Sequence, residues 1–292
     1  MNLSDSNEIT RKYFDSMLVE TRYINSDLPS CDMTLFGKTF DTPIMTAALS
    51  HLYDVCPDGM TEFARGAAKA NAACFMGMGE DEDLEKMAAT GASLIKIIKP
   101  HENNDVVFHK IEHAIANGAI AVGMDIDHSY TSDGHYDNVY GLPMKSKSFE
   151  EIKSFVSASS VPFVVKGVLS EQDAVLSERA GAKAIIVSHH HGIMPYSVPP
   201  LMVLPDIIKA VEGKITVLAD CGFESGMDVF KALALGADGV CIGRELMKAL
   251  KGGSDAMAAR INELTGELKS IMARTGARNI KDIDPSVIHY LR

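Results

Sequence analysis

The feature that most constrains this chain is a rhythm. Short apolar runs alternate with stretches of helical spacing, eight times over. The runs are 43–47, 73–78, 94–98, 119–126, 162–166, 184–188, 215–220 and 239–242. Each is small or β-branched throughout, as expected of parallel strands covered on both faces. The stretches between them, at 60–71, 81–89, 105–117, 148–157, 170–180, 203–211, 226–235 and 245–250, have helical periodicity. Ser148 with Glu151 and Ser170 with Asp173 have the spacing of capping boxes. Gly91, Gly118, Gly181, Gly213 and Gly236 stand where helices should stop. Eight strand–helix units predict an α/β fold, a TIM (β/α)8 barrel, in one domain over 1–292. It carries an N-terminal lead (1–40) and a C-terminal helical tail (255–292), whose amphipathic stretch 255–274 should pack on the outside of the barrel. A doubly wound open sheet is the alternative, but the first strand is not followed by a GxGxxG turn.

Charge and cysteine content exclude several classes. The chain carries 28 basic and 39 acidic residues, a net charge of −11, with no basic run, so no nucleic-acid partner is expected. No apolar run reaches the ~18 residues of a membrane span. Residues 1–15 are polar and do not read as a signal peptide. The five cysteines, at 31, 56, 74, 221 and 241, include no CxxC pair. That predicts a reducing, cytoplasmic location rather than a disulfide framework or zinc site. The sixteen methionines read as adaptable core filler.

In such a barrel the site lies at the C-terminal ends of the strands. Polar residues gather there: Asp125 after strand 4, Lys166-Gly167 after strand 5, and Ser188-His189-His190-His191-Gly192 after strand 6. Strands 7 and 8 end in Asp220-Cys221-Gly222, with Ser225-Gly226 beyond, and Gly243-Arg244. Two consecutive strand ends running into glycine and a helix start suit a phosphate. Asp220, set deeper, suits hydroxyls. A lysine in a barrel mouth needs an anionic partner, either a local carboxylate such as Asp125 or a bound cofactor. Histidine suits base catalysis near neutrality. If the three histidines continue the strand, His189 and His191 share one side and His190 faces the other. Adjacent histidines then do not share a face, and no metal is expected.

The runs from Pro162 to Leu169, from Ala184 to Gly192, and from Asp220 through Gly226-Met-Asp-Val-Phe-Lys-Ala-Leu to Ile242-Gly-Arg resemble the FMN-dependent α-hydroxy-acid oxidases and dehydrogenases, such as lactate oxidase and glycolate oxidase. Asn7 to Arg11, Leu35 to Lys38 and Pro43 to Ala48 resemble that family more weakly. The resemblance implies FMN as cofactor and oxidation of a small hydroxy substrate by hydride transfer to flavin N5. The electron acceptor would be oxygen or a redox partner, and the assembly a homo-oligomer. It implies catalytic roles for His190 as base, for Asp125 as the carboxylate that orients it, and for Lys166 at the flavin N1/O2 edge. Ala47, Ala48, Lys96, Lys166, Ser188, Asp220, Gly222, Ser225, Gly243 and Arg244 would contact the cofactor, with Lys96 near the position of the family's glutamine.

The substrate half departs from the pattern. The arginine that clamps the substrate carboxylate is Ile193 here. The substrate tyrosine after strand 3 falls near Ile98, and the loop 127–137 carries no arginine. The N-terminal helix bearing a further substrate tyrosine is missing or reduced. Glu224 and Ser225 replace two arginines of the strand 7 loop. Lactate and glycolate are therefore expected to be poor substrates. His128, His135 or Lys99 could hold a different one. Two other readings stand beside oxidation. One is an FMN-dependent isomerase of the type 2 isopentenyl diphosphate isomerase kind. The other is a flavin-free barrel that binds a phosphorylated ligand.

Overall fold

The structure is a computed structural model that describes residues 4–291. Eight parallel strands form one sheet: β1 (Ile44–Thr46), β2 (Cys74–Met76), β3 (Leu94–Ile98), β4 (Ala121–Asp125), β5 (Phe163–Val168), β6 (Ala184–Val187), β7 (Thr216–Asp220) and β8 (Gly239–Ile242). From β2 to β8 each strand pairs with its sequence neighbour, and β8 returns to β1, giving the barrel order. The seam between β1 and β2 is held differently. The Thr46 hydroxyl stands between the two strands, accepting from Phe75 N–H at 2.8 Å and donating to Phe75 O at 3.1 Å. Gly77 N–H reaches Leu49 O at 2.8 Å just above.

Helices follow the strands: α1 (Gly59–Lys69), α2 (Asp81–Ala88), α3 (Asn104–Ala116), α4 (Phe149–Ala158), α5 (Glu171–Arg179), α6 (Pro200–Val211), α7 (Gly226–Ala234) and α8 (Arg244–Leu250). The box at Ser148 and Glu151 forms in full, whereas the Ser170 hydroxyl accepts from Asp173 N–H and donates to Asp173 Oδ2 without the return bond to the Ser170 backbone N–H. Further boxes form at Glu80/Asp83 and Ser225/Asp228. The helix Gly253–Thr275 lies outside the barrel, with Met257 against Gly66 of α1 and Leu268 against Gly226 of α7.

Alternation along the strands sorts the core. Met45, Phe75, Ile95, Ile97, Val164, Ile186, Leu218 and Cys241 fill the barrel interior. The opposite faces, such as Val122, Val165, Ile185 and Val217, pack under the helices. A hairpin of Met33–Leu35 and Lys38–Phe40 places Met33, Leu35 and Phe40 against the same interior cluster. Polar side chains stand at the C-terminal ends of several inward rows.

Candidate active site

The inward rows of β4, β5, β6 and β7 end in Asp125, Lys166, Ser188 and Asp220. Lys166 is buried, with Nζ 3.5 Å from Asp125 Oδ1 and 3.8 Å from Asp220 Oδ2. Lys99, just beyond β3, reaches the other Asp125 oxygen at 2.6 Å. Burial opposes ionisation of Asp125, but Lys166, His190 and Lys99 outweigh it and hold the carboxyl well below its usual range. Burial likewise opposes the Lys166 charge, and Asp125, Asp127 and Asp220 reverse the effect, so this lysine stays protonated.

β6 ends at Val187, and the histidines lie on a turn rather than on the strand. His190 and His191 both adopt left-handed backbone, with φ of 48° and 55°. The strand alternation expected here therefore does not apply, although the sides come out as anticipated. His189 and His191 turn toward the N-terminal helix Ser6–Ser16, and His190 turns away from it. His189 is buried. Gly192 N–H donates to its Nδ1 at 2.9 Å, and its Nε2 lies 2.8 Å from Thr10 Oγ1. Both ring nitrogens are engaged, and burial lowers the His189 pKa from the ordinary histidine value. His191 is exposed, with Nδ1 2.8 Å from Asn7 Oδ1.

His190 Nδ1 lies 2.8 Å from Asp127 Oδ1 and 3.3 Å from Asp125 Oδ1. Burial lowers its basicity, but the Asp125 charge and both carboxylate contacts raise it above the ordinary histidine value. Asp127 was not anticipated. It fits because Gly167 lacks a side chain: a Cβ there would lie 2.4 Å from Asp127 Cγ, and the Gly167 φ of +90° interrupts the β5–β6 register. Burial and the Asp125 charge push the Asp127 carboxyl up to about 6. Its Oδ2 is buried with no hydrogen-bond partner among the described residues. Ligand atoms of Asp125, Asp127 and His190 lie within 4.8 Å of one another, and Lys99 and Lys166 already supply positive charge to the cluster.

A cavity of about 400 Å³ opens beside this cluster, lined by Ala47, Ala48, Lys166, His190, Asp220, Gly222, Gly243 and Arg244. Gly222 is a steric requirement and Gly243 is closely packed. Gly222 has φ +86°, and a Cβ there would reach Thr10 Cγ2 at 2.8 Å. A Cβ on Gly243 would stand 3.3 Å from that of Ala47. Arg244 forms no ion pair among the described residues, unlike Lys166. A narrow glycine-walled end with an unpaired arginine, and a buried lysine farther in, fit a phosphorylated cofactor such as FMN. Ser188 Oγ donates to Asp220 Oδ2 at 3.3 Å and accepts from His190 N–H at 3.0 Å, linking the cavity wall to the histidine turn.

Two expected cofactor contacts lie elsewhere. Lys96 is on the outward face of β3, between inward Ile95 and Ile97. It donates to Gly77 O at 2.6 Å, and burial lowers its pKa to about 7. Ser225 is the N-cap of α7 and hydrogen-bonds Asp228, while Glu267 takes Gly226 N–H at 2.6 Å. Carboxylates therefore hold that helix start. The N-terminal helix is the larger surprise. Beyond holding the histidine turn through Asn7 and Thr10, it joins the strand 7 loop: Arg11 forms a two-pronged pair with Asp228 at 2.9 and 3.1 Å, and Phe14 meets Phe223 edge-on. Its tyrosine, Tyr13, packs beside Tyr290 and does not line the cavity.

A parallel barrel with a lysine–carboxylate–histidine cluster beside a glycine-walled anion site is the architecture of a flavin-dependent oxidoreductase. Comparison with known proteins narrows this. The chain belongs to the FMN-dependent dehydrogenase family, which it matches over residues 4–148 and 132–290. It is 30% identical to glycolate oxidase of Spinacia oleracea over 317 residues, covering 95% of this chain and 86% of that one. It is 36% identical to L-lactate oxidase of Nostoc sp. over 177 residues, or 60% of this chain and 48% of the relative. A solved mandelate oxidase variant with the monooxide FMN adduct superimposes with a TM-score of 0.90 at 26% identity, covering 99% of this chain and 92% of its own. The protein is an FMN-dependent oxidoreductase of the 2-hydroxy-acid oxidase type. Among the described residues, no helix is long and apolar enough to cross a membrane.

Proposed function

We propose that the chain oxidises a small hydroxy substrate with His190 as the base, and that lactate and glycolate are poor substrates. The observation that carries this reading is the placement of His190. Asp127 and Asp125 hold its Nδ1, and it stands on the wall of the cavity that ends at Gly222 and Gly243. Its Nε2 is thereby left to take the hydroxyl proton, and the adjoining carboxylates favour the imidazolium that forms. FMN, when bound, supplies the two-electron acceptor for the hydride that leaves carbon as the carbonyl forms. Lys166 offsets the negative charge gained in that step. Gly222, Gly243 and Arg244 hold the phosphate, Asp220 and Ser188 meet hydroxyls and ring, and Ala47 and Ala48 line the ring face.

Ile193 motivates the substrate statement. It is 39% exposed on the turn after the histidines, where the family resemblance sets an arginine. An aliphatic side chain cannot replace a bidentate guanidinium–carboxylate contact. Its loss costs on the order of 2–5 kcal/mol, or roughly 30- to several-thousand-fold. The test of the base is His190→Gln. This variant keeps the flavin colour and reduces its flavin ~10²–10⁴-fold more slowly with any active hydroxy substrate. An unchanged reduction rate would remove His190 from the mechanism. Reduced flavin that regenerates without an added acceptor would favour the isomerase reading.

A further inference from the structure

The cations of the barrel mouth are already matched to carboxylates. Lys99 is 12% exposed and lies 2.6 Å from Asp125 Oδ2. Lys166 lies between Asp125 and Asp220. His190 Nδ1 is held by Asp127. Three carboxylates thus converge on two lysines and one histidine, each mostly shielded from water. The cavity-lining cation without a partner, Arg244, stands at the glycine-walled phosphate end. His128, the nearest ring to His190 at 5.1 Å between centroids, has its protonated form disfavoured by burial and by Lys99 and His190. A substrate carboxylate entering here would meet Asp125 and Asp127 with no cation of its own. Drawing Lys99 toward it would take from Asp125 its closest partner.

On the reading that His190 acts on a hydroxy carbon, we infer that the group beside that carbon is uncharged. An amide or another neutral carbonyl takes the place of the carboxylate. Such a group brings no further negative charge to a cluster in which, with His190 deprotonated as a base, Asp125, Asp127 and Asp220 already outnumber Lys99 and Lys166. The overall reaction stays balanced. The hydroxyl proton passes to His190, the hydride passes to the flavin, and a 2-oxo amide leaves.

The test uses the FMN-loaded protein, without oxygen, and two matched pairs: lactate with lactamide, and mandelate with 2-hydroxy-2-phenylacetamide. Flavin absorbance reports both binding and bleaching, and the melting temperature reports binding independently. At least one amide should act at a concentration about ten-fold or more below that of its acid. Ile193→Arg, on an exposed turn, should reverse that order by strengthening the acids. The inference is overturned if neither amide acts at a concentration about ten-fold or more below that of its acid, as it is by the absence of any response to both amides. An amide that shifts the flavin spectrum and melting temperature without bleaching supports the charge argument and counts against His190 as base. The two readings therefore fail separately.

Discussion

Nδ1 of His190 lies 2.8 Å from Oδ1 of Asp127, nearer than the 3.3 Å to Asp125. The direct partner of the histidine is thus a loop residue two positions beyond the strand end. Asp125, the carboxylate that the family resemblance pairs with the base, is shared among Lys99, Lys166 and His190. The first prediction follows. Asp127→Asn removes one of the groups that raise the His190 pKa, so that pKa falls, with Asp125, Lys166 and His128 still facing the ring. Because the base works deprotonated, the acidic limb of the rate profile moves to lower pH. NMR titration of the histidine ring protons reads the same shift without a substrate, with His190→Gln identifying the signal. An unmoved His190 midpoint would show that Asp127 is a bystander.

Asp125 has a different task. Its folded-state pKa is depressed, so its contribution to stability is present above the unfolded value of 3.8 and is lost as pH falls through the lower folded one. Asp125→Asn leaves Lys99 without its 2.6 Å partner and weakens the hold on Lys166. Breaking a buried pair in this way costs roughly 3–5 kcal/mol. Urea unfolding at neutral pH measures the loss, and a change within about 0.5 kcal/mol would contradict the assignment.

Much of this site was legible in the sequence. Eight apolar runs fixed the barrel, and the positions of Lys166, His190, Asp220, Gly222 and Gly243 at strand ends brought them to one mouth. Lys96 was misplaced for a physical reason. Strands buried on both faces are apolar throughout, so the pattern around Leu94–Ile98 carries no marker of which side faces the interior. The histidine turn was misread as a strand end, although histidine is among the residues that adopt left-handed backbone and Gly192, itself left-handed, directly follows. Asp127 sits in a loop whose path depends on the space at Gly167. The glycine directly after Lys166 was the available signal, and it takes its meaning only once the two segments are seen to touch.

The neighbouring histidines should separate structure from chemistry. His189→Gln disturbs the bonds to Thr10 and Gly192 that tie the turn to the N-terminal helix, so it should lower stability by roughly 1–3 kcal/mol. His191 is exposed, and His191→Gln should change stability by less than about 0.5 kcal/mol. Denaturant midpoints of the two variants decide this. Equal midpoints would contradict the view that His189 anchors the turn.

The barrel is built around one FMN, with Lys166 at its inner end and Arg244 at its phosphate end. The most direct measurement is titration of the flavin-free protein with FMN and, separately, with FAD, followed by absorbance and flavin fluorescence. Binding should saturate at about one FMN per chain, FAD should bind far more weakly, and FMN should be the flavin that heat releases from the purified protein. Lys166→Met and Arg244→Ala should each weaken FMN binding, by about ten-fold or more for the buried lysine. Preferential binding of FAD, or no binding of either flavin by folded protein, would contradict this assignment.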